Sequence, residues 1–214
     1  MSATRVKICG VTRLEDAELA ATLGAWAVGM VFYEPSARSC ALSEAELIGA
    51  ALQRRVELAG VFVNAPLEEV VDVSQRARLT LIQLHGEEGP AYCSEVARRT
   101  GARTIKAASV KGLYSIRDLE RFHTDFHLLD GHAPGLRGGT GRTFDWSLVA
   151  VRHHGAPPLI IGGGLDSDSV AQAVAATAPY AVDVASGVEA APGVKDPERM
   201  RAFFESAAKA TLVS

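Results

Sequence analysis

Arg5-Val6-Lys7-Ile8-Cys9-Gly10-Val11-Thr12-Arg13-Leu14-Glu15 runs from a short apolar stretch, over a glycine, into a helix-start signal. Arg5–Cys9 reads as a strand, and Thr12 with Glu15 three residues on reads as a capping box. A strand that turns over glycine into a helix is half of a βα unit. The turn decides which kind. Lys7-Ile8-Cys9-Gly10 lacks the GxGxxG run that builds a dinucleotide pyrophosphate turn, which weakens an open doubly wound sheet as the alternative.

Outward from that stretch the unit recurs. Further strands are expected at 27–32, 58–63, 79–84, 103–107, 126–130, 159–161 and 181–185, mostly near-continuous apolar runs that suit parallel strands buried on both faces. Helical patterns fill the gaps. Ser43 and Glu46 form a second expected capping box, and Asp196 before Pro197 an N-cap with proline at the first helical position. Leu67, Val70, Val71 and Ser74 share one helical face, and Met200, Phe203, Phe204 and Ala207 another. Gly24 and Gly101 stand where helix C-terminal glycines belong. Eight strands alternating with eight helices imply an α/β protein whose all-parallel sheet closes as a (β/α)8 barrel, one domain over residues 1–214.

Composition sets the outer limits. The 214 residues suffice for one such barrel but not for two comfortable α/β domains. A formal charge of −3 leaves no basic excess for a nucleic-acid backbone, so no nucleic-acid partner is expected, while small anions remain open. Cys9, Cys40 and Cys93 are sparse, odd in number and without CxxC spacing, which fits a cytoplasmic protein and gives no zinc pattern. Neither a signal region nor an apolar run of membrane-spanning length is visible, so no membrane association is expected.

In this architecture chemistry sits at the C-terminal ends of the strands. Alternation places Lys7 with Cys9, Gln83 with His85, Asp130 with Leu128, and Asp183 with Ala185 on shared faces. If those faces point inward, one mouth collects a thiol, an ammonium, an amide, an imidazole and two carboxylates. Each alone has a plainer reading: a strand-end cysteine is usually a small buried hydrophobe, and a strand-end aspartate a turn residue. Their coincidence on one rim favours a site. Cys40 and Cys93 keep the plain reading.

Gly162-Gly163-Gly164 follows the seventh strand and Ser186-Gly187 the eighth. The loops after strands 7 and 8 are the usual phosphate site of this fold, where backbone N–H groups receive the anion. Glycines also merely permit tight turns, but two such loops in adjacent positions favour phosphate at Gly163, Gly164, Ser186 and Gly187. Gly138-Gly139-Thr140-Gly141 reads as a mobile or substrate-covering loop, with Asp145 capping the next helix.

The motifs Lys7-Ile8-Cys9-Gly10-Val11-Thr12, Gln83-Leu84-His85-Gly86, Leu128-Leu129-Asp130, Gly138-Gly139-Thr140-Gly141 through Phe144-Asp145-Trp146, Ser186-Gly187-Val188-Glu189 and Pro192-Gly193-Val194-Lys195-Asp196 occur in order along the chain. Together they resemble the phosphoribosylanthranilate isomerases of tryptophan biosynthesis. The resemblance implies a TIM barrel of the ribulose-phosphate-binding type and an Amadori rearrangement of N-(5-phosphoribosyl)anthranilate. It implies Asp130 as general acid, Cys9 as general base and Arg38 as holder of the anthranilate carboxylate. Lys7, Gln83, His85 and Asp183 are the expected substrate contacts, with Lys7 drawing the Cys9 thiol toward neutrality.

The implied chemistry runs on proton transfers, so neither metal nor organic cofactor is expected. The expected partner is a small phosphorylated substrate, met by a monomer or a homodimer. Three positions depart from the family pattern: Ala37 where proline is usual, Ala185 where serine is usual, and Gly162 where alanine is common. Two rivals stay open. One is the phosphosugar isomerase of histidine biosynthesis, which uses two aspartates; the other is a catalytically silent barrel that binds a phosphometabolite.

Overall fold

Eight short strands carry the architecture: β1 Arg5–Cys9, β2 Ala27–Phe32, β3 Glu57–Phe62, β4 Leu81–Leu84, β5 Arg103–Val110, β6 Phe126–Gly131, β7 Leu159–Ile161 and β8 Ala181–Val184. In this computed structural model, which describes residues 4–131 and 144–211, they form a closed barrel in sequence order with every pair parallel. The seam between first and last strands aligns Lys7 with Asp183. The segment Gly138-Gly139-Thr140-Gly141 lies outside the described residues.

Among the described residues seven α-helices surround the barrel: α1 Leu14–Thr22, α2 Leu42–Leu52, α3 Leu67–Arg76, α4 Pro90–Thr100, α5 Leu113–Asp118, α6 Val170–Thr177 and α7 Pro197–Thr211. The expected eighth α-helix is corrected. Among the described residues its place after β6 is taken by a 3-10 helix, Trp146–Val151. Leu148 N–H bonds to Asp145 C=O at 3.2 Å and Arg152 N–H to Val149 C=O at 3.1 Å, the shorter ladder typical of a brief turn, and two β-branched valines weaken a longer one. Asp145 does cap it, accepting from Ser147 N–H at 3.0 Å.

Both expected capping boxes are also corrected. Thr12 instead donates its hydroxyl to the Gly193 carbonyl at 2.6 Å, and Glu44 receives the Leu14 N–H at 2.7 Å. Ser43 lies inside α2, which begins at Leu42, and Glu46 pairs with Arg76 at 2.6 Å. Tertiary partners won over local ones. The Asp196 cap does form, on the N–H groups of Glu198 and Arg199 at 2.9 and 3.1 Å. Gly24 and Gly101 sit at helix ends with φ of +89° and +68°, which glycine adopts without a Cβ penalty.

Side chains divide by parity. Val6, Ile8, Ile82, Leu84, Leu129 and Val182 pack outward against the helices, whereas Ala27, Ala59, Leu81, Ile105, Phe126 and Ile160 fill the barrel itself. Each fully buried aliphatic of the outer layer contributes about 1.5–3 kcal/mol. The N-terminal end of the barrel is plugged by Trp26, Phe126 and Tyr180, whose ring centroids lie 5.0–5.5 Å apart. Arg5 stacks over Tyr180 at 4.3 Å and Arg103 over Phe126 at 5.4 Å. That end is closed, and the polar inward residues gather at the other.

Candidate active site

Because Val6 and Ile8 face the helices, Lys7 and Cys9 face the barrel. Lys7 is wholly buried, and its Nζ lies 2.7 Å from Asp183 Oδ1 across the seam. Burial, the largest single influence, works against its charge, but Asp183 and Cys9 together prevail and the Lys7 pKa is raised. Cys9 is buried beside them. Burial pushes its thiol pKa up, the Lys7 ammonium pulls it back, and Asp183 pushes it up again, leaving it raised. Lys7 thus pulls the thiol down as expected, but burial is the larger influence and keeps it above its ordinary value. Gly29 makes room for this group, since a Cβ there would stand 3.0 Å from Cys9 Sγ and 3.2 Å from Lys7 Nζ.

Gln83 and His85 meet Asp130 on the opposite side of the mouth. Gln83 Nε2 is 3.2 Å from His85 Nδ1, and His85 Nε2 is 3.5 Å from Asp130 Oδ2. With the amide donating to Nδ1, the ring carries its proton on Nε2, facing the carboxylate; that assignment follows from the bonding pattern. Gln83 is buried, and its Oε1 has no partner among the described residues. The turn that presents His85 is held from below by Glu88. Its carboxylate accepts from Asn64 N–H at 2.8 Å, Gly86 N–H at 2.9 Å and Lys106 Nζ at 2.7 Å. Burial opposes the charge on Glu88, but Lys106 and the backbone donors prevail and its pKa is lowered.

The glycine-bearing loops after β7 and β8 pack against their neighbours, the first of them against the end of β6 at Asp130. A Cβ on Gly163 would lie 1.8 Å from Gly131 N and 2.7 Å from Asp130 Oδ1. A Cβ on Gly187 would lie 2.0 Å from the Leu165 carbonyl. Gly163 and Gly164 both take positive φ, +84° and +70°. The 3-10 helix Ser186–Val188 starts directly after β8, so Gly163, Gly164, Ser186 and Gly187 come together where backbone donors suit an anion.

Arg38 lies over Gly10, where a Cβ would come within 2.7 Å of Arg38 Cδ. Its Nε and Nη2 grip Glu189 at 2.9 and 2.8 Å. Glu189 Oε1 also accepts from Lys195 Nζ at 2.9 Å, and Lys195 donates to the carbonyls of Cys9 and Ala185 at 2.6 and 3.1 Å. Glu189–Ala191 (β9) and Val194–Lys195 (β10) form a small antiparallel hairpin that the strand count omits. Neither Glu189 nor Lys195 is among the residues picked out by strand-end reasoning. The signal was present: opposite charges, each beside a valine, flank Pro192-Gly193.

Among the described residues no group of three or more His, Cys, Asp or Glu side chains is placed to hold a metal ion, and no helix is long and apolar enough to cross a membrane. Cys40 and Cys93 are buried in the layer between strands and helices.

A family model described as N-(5'-phosphoribosyl)anthranilate (PRA) isomerase matches residues 6–206. The N-(5'-phosphoribosyl)anthranilate isomerase of Citrifermentans bemidjiense is 47% identical over 210 residues, covering 98% of this chain and all of that one. The crystal structure of phosphoribosyl anthranilate isomerase from Thermotoga maritima superposes with a TM-score of 0.88 at 40% identity, over 95% of this chain and 98% of that one. A structure of the isomerase in complex with reduced 1-(o-carboxyphenylamino)-1-deoxyribulose 5-phosphate gives 0.84 at 38% identity, over 95% and 98%.

Proposed function

The chain belongs to the phosphoribosylanthranilate isomerase family, an enzyme family of tryptophan biosynthesis, and we propose that Cys9 and Asp130 perform its rearrangement as general base and general acid. What carries the reading is the placement of a thiol and a carboxylate at strand ends three strands apart around one mouth, with Gly163 against the carboxylate and Arg38 against Gly10, the residue after the thiol.

Asp130 gives a proton to the ribose ring oxygen as the C1–O bond breaks, leaving an iminium between C1 and the anthranilate nitrogen. The iminium acidifies C2–H. Cys9, as thiolate, takes that proton, and the electron pair left on C2 forms the enolamine. Its C1 then gains a proton as its C2 hydroxyl loses one, giving the ketone. Protons move and no electrons are lost, so the sequence requires neither metal nor redox cofactor.

Binding divides among three parts of the rim. The phosphate lies on the backbone donors near Gly163, Gly164, Ser186 and Gly187. Arg38 takes the anthranilate carboxylate, as a planar guanidinium matches that group in two-point fashion. His85 keeps the Asp130 carboxylate oriented, backed by Gln83, while Lys7 and Asp183 set the charge around Cys9. The enzyme works in the cytoplasm as a monomer or a homodimer.

Cys9→Ala and Asp130→Asn test the assignment. Each is expected to lower kcat by roughly 10²–10⁴-fold with the fold retained. The isotope effect from C2-deuterated substrate is expected to be larger in Cys9→Ala than in Asp130→Asn. Near wild-type turnover in Cys9→Ala would remove the thiol from the mechanism.

A further inference from the structure

We propose that Glu189 is a positioning residue for substrate selection: it holds Arg38 by one edge so that the other meets a carboxylate at the mouth. The inference rests on Arg38 as the carboxylate holder and adds what sets its direction. A guanidinium has two edges suited to two-point bonding. Glu189 occupies the Nε–Nη2 edge at 2.9 and 2.8 Å, and among the described residues Nη1 makes no hydrogen bond. The stem is fixed as well, because Arg38 Cδ lies against Gly10, the residue after Cys9. With the stem and one edge held, the remaining edge has one orientation.

Glu189 can do this because its own position is over-determined. It is buried, and burial opposes its charge, yet Arg38 and Lys195 together hold its pKa below the usual carboxylate range. Gly193 N–H gives it another bond at 3.3 Å. Lys195, wholly buried, carries the arrangement onward to the Cys9 and Ala185 carbonyls, where β1 ends and β8 has just ended. Thr12 bonds the hairpin turn at Gly193, so the segment cannot swing out independently of the first βα loop. A free arginine would lose rotamer freedom each time substrate bound. Here that loss is incurred during folding, and the carboxylate meets a preset partner.

The test compares N-(5-phosphoribosyl)anthranilate with N-(5-phosphoribosyl)aniline, which lacks the carboxylate, in wild type, Glu189→Gln, Glu189→Ala and Arg38→Ala. Glu189→Gln keeps the side-chain volume and guards against simple misfolding in the alanine variant. In Glu189→Gln, KM for the carboxylated substrate should rise about tenfold, the scale of one lost charge-assisted bond, with a smaller change in kcat. KM for the aniline analogue should stay within about twofold, since a merely structural defect would affect both substrates alike. Equal losses on both substrates, or no loss in either Glu189 variant, would overturn the proposal. If Arg38→Ala abolishes the preference and the Glu189 variants keep it, only the positioning role fails. If Arg38→Ala keeps the preference too, the carboxylate assignment fails and this inference with it.

Discussion

Lys7 and Asp183 stand at the same level of the seam that closes the barrel, Nζ 2.7 Å from Oδ1, with the ammonium fully enclosed. Removing one partner of a buried pair strands the other's charge, at a cost of about 3–5 kcal/mol. Asp183→Ala should therefore lose stability of that order in urea denaturation, and a combined Lys7→Met, Asp183→Leu chain should lose less. Because the Lys7 pKa is raised, its contribution is full below the ordinary lysine range and is lost only as pH rises through the folded value. Between pH 6 and 8, this pair should leave stability flat. Equal losses in the single and double variants would show that the pair's charge is not the cause.

The raised thiol of Cys9 predicts a pH profile. In the free enzyme kcat/KM should climb with pH through the neutral range, its limb lying above the ordinary thiol value of about 8.5. Lys7→Met withdraws the charge that opposes the rise and should move the limb higher still. A limb that stays in place in that variant would detach Lys7 from the thiol. Iodoacetamide labelling of Cys9 should follow the same profile, with the more inertly placed Cys93 labelling slowly because it too is buried with a raised pKa.

Gly163→Ala should damage catalysis more than its single methyl suggests. The new Cβ would meet Gly131 N at 1.8 Å and Asp130 Oδ1 at 2.7 Å, on a backbone of positive φ. The β6 end must move, taking Asp130 with it. A kcat loss of about tenfold or more is expected, misplacement of a catalytic group by an ångström being enough for roughly a hundredfold. Gly24→Ala, which strains a backbone of φ +89° but meets nothing within 4 Å, is the control: it should reduce stability and leave kcat alone. The two variants behaving alike in kcat would mean that backbone strain, and not the approach to Asp130, governs the effect.

His127 gives stability its acid-side dependence. It is buried on the outer face of β6, with Nε2–H donating to the Phe122 carbonyl at 3.0 Å and Nδ1 facing Arg152 Nη2 at 3.4 Å. Burial lowers its pKa and the Arg152 charge lowers it further, against the carbonyl bond. The unfolded chain thus binds a proton sooner, so stability should fall as pH drops below about 6.5 and on through the lowered folded value. Thermal melting of His127→Gln should show a shallower slope over that window; an unchanged slope would place the acid sensitivity elsewhere.

The barrel was legible because strand parity and apolar runs are local properties. Val6 and Ile8 alternating with Lys7 and Cys9 already separate the helix-facing from the barrel-facing side. Asp130, at the end of an alternating Phe126, Leu128 series, was readable for the same reason. What the sequence hid depends on partners distant in the chain. Thr12 looks like a cap until Gly193, 181 residues on, takes its hydroxyl. Lys7 pulls the Cys9 thiol down as its place on the strand suggests, but only the folded chain shows the burial that outweighs it. Glu189 belongs to a recognisable motif, but only the folded chain shows that it grips Arg38 from 151 residues away.

The hairpin that carries Lys195 is translated 186 residues after the carbonyl it binds at the end of β1. Until those later residues are made, Cys9 lacks the ammonium that binds its carbonyl and the carboxylate that pairs with Lys7. Barrel closure joins β1 to β8, and contacts of that sequence separation form slowly. During that interval the thiol is open to oxidants and electrophiles that reach it more slowly in the folded enzyme. A nascent chain halted before residue 189 should be scavenged by a thiol reagent within the time the completed protein resists it.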